Sequence, residues 1–129
     1  MNIQLPLGPV MADLKGVEID SSELDVLRHP DIGGVILFAR NFESPEQLRA
    51  LTASIRAIRE PQLLIAVDHE GGRVQRFQQG FTRIPPMASL GLIHQAGGPA
   101  VKLAEALGCI IAAELVEHGL DFSFTPVLD

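Results

Sequence analysis

The chain predicts a parallel α/β sheet, and three observations carry that expectation. Short apolar runs of strand type alternate with stretches of helical periodicity, the order expected of strands joined by crossover helices. Leu63–Val67 is five apolar residues in a row, which suits a strand covered on both faces. Three strand-like segments end in an acid (Asp13, Asp68 and Asp129), and Arg40 closes a fourth. Charge is thereby placed at the carboxyl ends of the strands, where α/β folds assemble polar sites.

Taken in order, Val10–Asp13 reads as a first strand, with Gly16 in the turn after it. Asp20-Ser21-Ser22-Glu23 has the spacing of a capping box and opens a short helix carrying Leu24 and Leu27, which Pro30 ends. Gly33-Gly34 leads into a second buried strand, Val35–Ala39, with Arg40-Asn41 at its end. Ser44-Pro45-Glu46-Gln47 starts the next helix: Ser44 caps, Pro45 takes the first position and Gln47 reaches back to the cap. Leu48, Leu51, Ile55 and Ile58 form its apolar stripe, with Arg49, Arg56 and Arg59 expected to face water. Leu63–Val67 is the third strand.

Residues 78–97 lack strong periodicity and read as a long binding loop or lid. Pro99 opens a helix whose expected buried stripe is Leu103, Leu107, Ile110, Ile111 and Leu115, with Gly119 as its C-cap. A fourth strand passes through Phe122 and Phe124. Four strands and three helices could make a small open sheet or the first half of an eight-stranded barrel, which typically needs about 250 residues. The acids and Arg40 would converge on one rim of a barrel. A final strand without a covering helix favours a barrel interrupted after its fourth strand, so that residues 1–129 form the amino-terminal part of one domain.

A formal charge of −6 leaves no basic face for nucleic acid. The amino terminus lacks a basic region followed by an apolar core, and no apolar run approaches the roughly 20 residues that cross a bilayer. The single cysteine, Cys109, lies among Leu107, Ile110 and Ile111 and reads as a buried thiol in a reducing, cytoplasmic compartment.

The chemistry concentrates after the third strand, in Asp68-His69-Glu70-Gly71-Gly72-Arg73-Val74-Gln75-Arg76. Asp68 sits at the strand tip, two glycines permit a tight backbone turn, and two arginines follow. A structural partner for Asp68 could be Arg73 or Arg76. Asp68-His69-Glu70 does not read as a metal site, because consecutive residues of an extended chain point to opposite faces and no zinc spacing supports it. His69 reads instead as a packed or hydrogen-bonded loop residue, and Glu70 as a brace of the loop. His29, His94 and His118 read as helix-end or loop histidines, the last with a charge suited to a helix C-terminus. Gly71-Gly72 lacks the spacing of a phosphate-binding loop. For Asp13, Arg40 and Asp129, ion pairing within the rim and contact with a ligand stay equally open.

Val67–Phe77 resembles the signature of bacterial β-N-acetylglucosaminidases of glycoside hydrolase family 3. Gly34–Asn41 is similar to the second-strand pattern of that family, and Thr82–Pro85 and Phe124–Asp129 match two further landmarks in order. The resemblance spans essentially the whole chain. It implies a (β/α)₈ barrel that removes terminal non-reducing β-linked N-acetylglucosamine from muropeptides in peptidoglycan recycling. It further implies a retaining mechanism with an aspartate nucleophile and a histidine acid/base, no metal and no organic cofactor. Asp68 matches the position that accepts hydrogen bonds from hydroxyls of the terminal sugar, and Arg76 a second substrate-binding position.

The family's nucleophile and histidine motifs would fall beyond Asp129, so no catalytic residue is assigned and the segment alone is expected to be inactive. The chain has neither Trp nor Tyr, so an aromatic platform for a sugar is expected from elsewhere. A competing expectation is a non-catalytic α/β domain that binds sugar weakly or self-associates through its open sheet edges. A small nucleotide-binding domain is a third.

Overall fold

The computed structural model describes residues 6–128. Asp129, one of the expected rim acids, lies outside them. Strands β1 (Val10–Asp13), β2 (Ile32–Leu37), β3 (Leu64–Val67) and β6 (Phe122–Ser123) form one sheet in the order β1-β2-β3-β6. Every pair in it is parallel. Helix α1 (Ser21–Leu27) links β1 to β2, and α2 (Pro45–Arg56) links β2 to β3. Between β3 and β6 come a hairpin, β4 (His69–Gly71) with β5 (Val74–Gln75), and helices α3 (Ala88–Gln95) and α4 (Ala100–Glu117).

Local chemistry explains the helix starts. Asp20 Oδ1 accepts from Ser22 N at 2.7 Å, and Glu23 Oε2 accepts from Asp20 N at 2.7 Å, so the expected capping box forms. Ser44 Oγ accepts from Gln47 N at 3.1 Å and Pro45 occupies the first turn of α2. Gln47 reaches one residue past the cap: its Oε1 accepts from Glu43 N at 2.9 Å, and its Nε2 donates to Val17 O and Asn41 O.

The strand side chains divide between two faces. Val35, Leu37, Ile65 and Val67 point toward the helices and pack with Leu48, Leu51, Ile55, Ile111 and Leu115. Burying each such side chain contributes about 1.5–3 kcal/mol. The alternate positions, Gly34, Ile36, Leu64 and Ala66, line the opposite face, which would be the inside of a barrel. On that face Ala66 is buried but Leu64 is 42% exposed, so β3 is covered on both faces at its carboxyl end and on only one at Leu64.

Other expectations are corrected. Residues 78–97 contain the helix α3, whose short length and mixed face hid its period. The stripe of α4 is buried only at Ile111 and Leu115. Leu107 and Ile110 are partly covered and Leu103 is exposed, because only the carboxyl-terminal half of the helix lies against the sheet. Cys109 is exposed on that helix, not buried. Nor do the arginines expected on the outer face of α2, of which Arg59 lies past the end of the helix, simply face water. Arg56 Nη2 donates to Gly119 O at 2.9 Å and Asp121 Oδ1 at 2.9 Å, and Arg59 Nη1 donates to His29 O at 3.0 Å. Arg49 binds Glu46 and the ring of His118. His118 is buried, with Nδ1 2.6 Å from Glu114 O and Nε2 3.1 Å from Arg49 Nη1. The ring is thus held between the carbonyl end of α4 and the Arg49 guanidinium. Gly119 ends α4 at φ +80°, as expected of a C-capping glycine.

Candidate functional site

The site is built where β3 ends. Asp68 keeps the side-chain parity of Leu64 and Ala66 and so belongs to the barrel-side face. The chain then turns through β4 and β5. Gly71 and Gly72 have φ of +94° and +59°, a backbone that a side chain disfavours. An added Cβ on Gly71 would also lie 2.5 Å from Pro85 O. The expected loop is therefore an antiparallel hairpin, and it returns Arg76 to Asp68. Arg76 N donates to Asp68 O at 3.4 Å, and Arg76 Nη2 lies 3.1 Å from Asp68 Oδ2. Arg73, the other possible partner, lies instead beside Glu70 along an open cavity of about 530 Å³ shared with Pro86 and Met87. The brace expected of Glu70 is not found among the described residues.

Gln75 holds the hairpin from beneath. Buried at 3% exposure, it accepts from Ile84 N at 2.9 Å through Oε1 and donates to Thr82 O and Phe77 O through Nε2. Gly72 N donates to Ile84 O at 2.8 Å. The segment Thr82–Pro85 thus packs directly on the signature stretch. Ser123 Oγ accepts from His69 N at 3.1 Å, which ties the fourth strand to the same loop.

His69 points away from Asp68, as consecutive extended residues must. Its ring is fully buried beside Phe77 and Phe81, at centroid distances of 6.0 and 5.4 Å. Neither ring nitrogen has a partner among the described residues. Burial pushes the imidazole below its ordinary value of 6.5, against a smaller opposing effect of the Glu114 carboxylate. Packed, not hydrogen-bonded, is the outcome for this ring. No group of three or more potential metal-ligating side chains occurs among the described residues.

The second strand contributes the other half of the rim. Asn41, fully buried, donates to Leu14 O at 3.0 Å and Gly16 O at 2.8 Å and accepts from Phe38 N at 2.8 Å. Arg40 pairs with Asp13 and donates from Nε to Leu14 O at 3.0 Å. Phe38 lies close to both ion pairs. The guanidinium carbon of Arg40 is 4.8 Å from its ring centroid and that of Arg76 is 5.7 Å. The row Asp13, Arg40, Phe38, Arg76, Asp68 therefore runs along the carboxyl ends of β1, β2 and β3. Sequence reasoning singled out its four charged members but not Phe38, Asn41 or Gln75. An aromatic at the end of an apolar run two residues before Arg40, and a glutamine set between Val74 and Arg76, were the available signals.

The sequence pattern of the glycosyl hydrolase family 3 N-terminal domain matches residues 7–129. The chain belongs to glycosyl hydrolase family 3. It is similar to a β-hexosaminidase of Methylobacillus flagellatus, at 64% identity over 97% of this chain and 36% of that protein. Among solved structures it is similar to NagZ from Neisseria gonorrhoeae in complex with zinc ion, with a TM-score of 0.95 and 53% identity. The same relative in complex with N-trifluoroacetyl-D-glucosamine gives a TM-score of 0.94. These comparisons cover 98% of this chain and 38% and 37% of the relatives. The chain thus spans little more than a third of the family members it matches. Sequentially neighbouring parallel strands joined by helical crossovers agree with the expected first half of a (β/α)₈ barrel.

Proposed function

We propose that residues 1–129 form the saccharide-gripping part of a family 3 β-N-acetylhexosaminidase, with the nucleophile and the acid/base supplied by the remainder of such an enzyme. The observation that carries this reading is the pairing of Asp68 with Arg76 on the rim of the barrel-side face. Arg76 occupies Oδ2 of Asp68 and leaves Oδ1 to accept sugar hydroxyls. An ionised carboxylate makes charge-assisted bonds about twice as strong as neutral ones. The rigid fork of Arg76 offers its remaining N–H groups to sugar oxygens from the adjacent side. The gonococcal relative's complex with a glucosamine derivative supports the substrate class.

In this reading the sugar is a terminal non-reducing β-linked N-acetylglucosamine of a muropeptide. The reaction retains configuration through a covalent glycosyl-enzyme intermediate, without metal or organic cofactor, in cytoplasmic peptidoglycan recycling. No helix among the described residues is long and apolar enough to cross a membrane.

The test joins residues 1–129 to the remaining segment of the Methylobacillus flagellatus relative and measures hydrolysis of a chromogenic N-acetyl-β-glucosaminide. Turnover is expected, with Asp68→Ala raising KM by about tenfold or more, the equivalent of about 1.4 kcal/mol of lost binding. An unchanged KM removes Asp68 from the site. A second reading, sugar binding without turnover, draws on the open barrel-side face, where Leu64 and Phe124 are exposed. It is supported if the joined chain binds N-acetylglucosamine and hydrolyses nothing.

A further inference from the structure

Arg76 is held by less than its position demands. Its Nη2 is paired with Asp68, yet its Nε is buried without a hydrogen-bond acceptor among the described residues. A side chain with three staggered torsions and one exposed-side anchor keeps several rotamers open, each pointing the guanidinium elsewhere. Something other than hydrogen bonding must select among them. The Phe38 ring is the group in place to do so: the Arg76 guanidinium carbon is 5.7 Å from its centroid, within the range of cation–π attraction.

Phe38 is itself fixed from two directions. Its N–H donates to the buried Asn41 Oδ1 at 2.8 Å, which sets the backbone where β2 ends. On its ring lies the second guanidinium, Arg40, at 4.8 Å, anchored by Asp13 and by Leu14 O. Arg40 is thus committed to β1 on its far side, and Arg76 to Asp68 on its own. The two cations do not collapse onto one carboxylate, because each has its own.

We propose that Phe38 is a positioning residue: by its aromatic face, and not by touching the sugar, it selects the Arg76 rotamer that presents the guanidinium beside Asp68. The negative face of the ring replaces the missing acceptor at Nε and holds the planar group without consuming the N–H donors that a ligand needs. A hydrogen-bonding partner in the same place would anchor Arg76 but occupy those donors. This inference rests on the saccharide reading for its consequence, though not for its geometry.

The test uses the joined chain, with the Arg76 side-chain Nε–Hε resonance as the probe and N-acetylglucosamine as the titrant. In the unaltered chain the Hε proton is expected upfield of exposed arginines, through the ring current of Phe38. Phe38→Leu, which keeps apolar bulk but removes the π face, is expected to move that resonance to the position of a solvated arginine. It should weaken saccharide binding about tenfold, while the amide spectrum of the sheet stays that of the folded chain. Phe38→Tyr is expected to restore both. An Arg76 resonance indifferent to Phe38→Leu in a folded chain overturns the proposal. So does a Phe38→Tyr chain that behaves like Phe38→Leu. If the resonance responds as stated but the unaltered joined chain binds no saccharide, the positioning role stands and the sugar reading falls.

Discussion

Asp68 and Arg76 are cross-strand neighbours at the base of a hairpin, joined twice: by Arg76 N to Asp68 O at 3.4 Å and by Nη2 to Oδ2 at 3.1 Å. The backbone contact fixes where Arg76 stands, and the side-chain contact sets one edge of its guanidinium against the carboxylate. In the joined chain, Arg76→Lys keeps the charge but loses the planar fork. Steady-state kinetics are expected to show KM raised about tenfold with a smaller change in kcat. Equal kinetics for the two chains would show that the fork is not used.

The hairpin depends on its glycines. Gly71→Ala places a Cβ 2.5 Å from Pro85 O at a φ of +94°. Urea unfolding is expected to show a loss of about 1–3 kcal/mol. Gly108→Ala, in mid α4 with nothing within 4 Å of its Cβ, should instead gain about 0.5–1 kcal/mol. The contrast separates strain at the site from a general effect of added methyl groups.

Asn41 is a staple between two strand ends. Asn41→Ala leaves Gly16 O and Phe38 N without their side-chain partner and Leu14 O with Arg40 Nε alone. Denaturant midpoints are expected to fall by the equivalent of about 2–3 kcal/mol. The Asp13–Arg40 pair should loosen with it, visible as greater mobility of the Arg40 side chain.

Much of this site was legible in the sequence, and the reasons for the remainder are local. Asp68 could be read because an acid ending an apolar strand is conspicuous, and the caps at Asp20 and Ser44 because their chemistry is local in sequence. The hairpin escaped because β4 and β5 are held less by propensity than by Gln75, which reaches Ile84 and Thr82 across the chain. α3 escaped because eight residues give too short a window for a helical period. Cys109 was misplaced because Leu107, Ile110 and Ile111 around it are adjacent in sequence but turned toward a different side of α4.

His69 makes stability depend on pH. Its imidazole titrates below 6.5 in the folded chain because burial disfavours the charged ring. The unfolded chain therefore binds the proton first, and stability falls as pH drops below about 6.5 toward the folded value. Above 6.5 this group contributes no slope. Thermal unfolding between pH 7.5 and 5 is expected to show the decline, at most about 1.4 kcal/mol per pH unit from one proton. His69→Phe should flatten the part of it due to this ring.

The central claim is that the carboxylate at the tip of β3 holds a sugar in concert with Arg76. Calorimetric titration of the joined chain with N-acetylglucosamine, before and after Asp68→Asn, tests it most directly. The swap keeps shape and removes charge. Binding at least about tenfold weaker in the variant is the predicted result; equal affinity in both chains would contradict it.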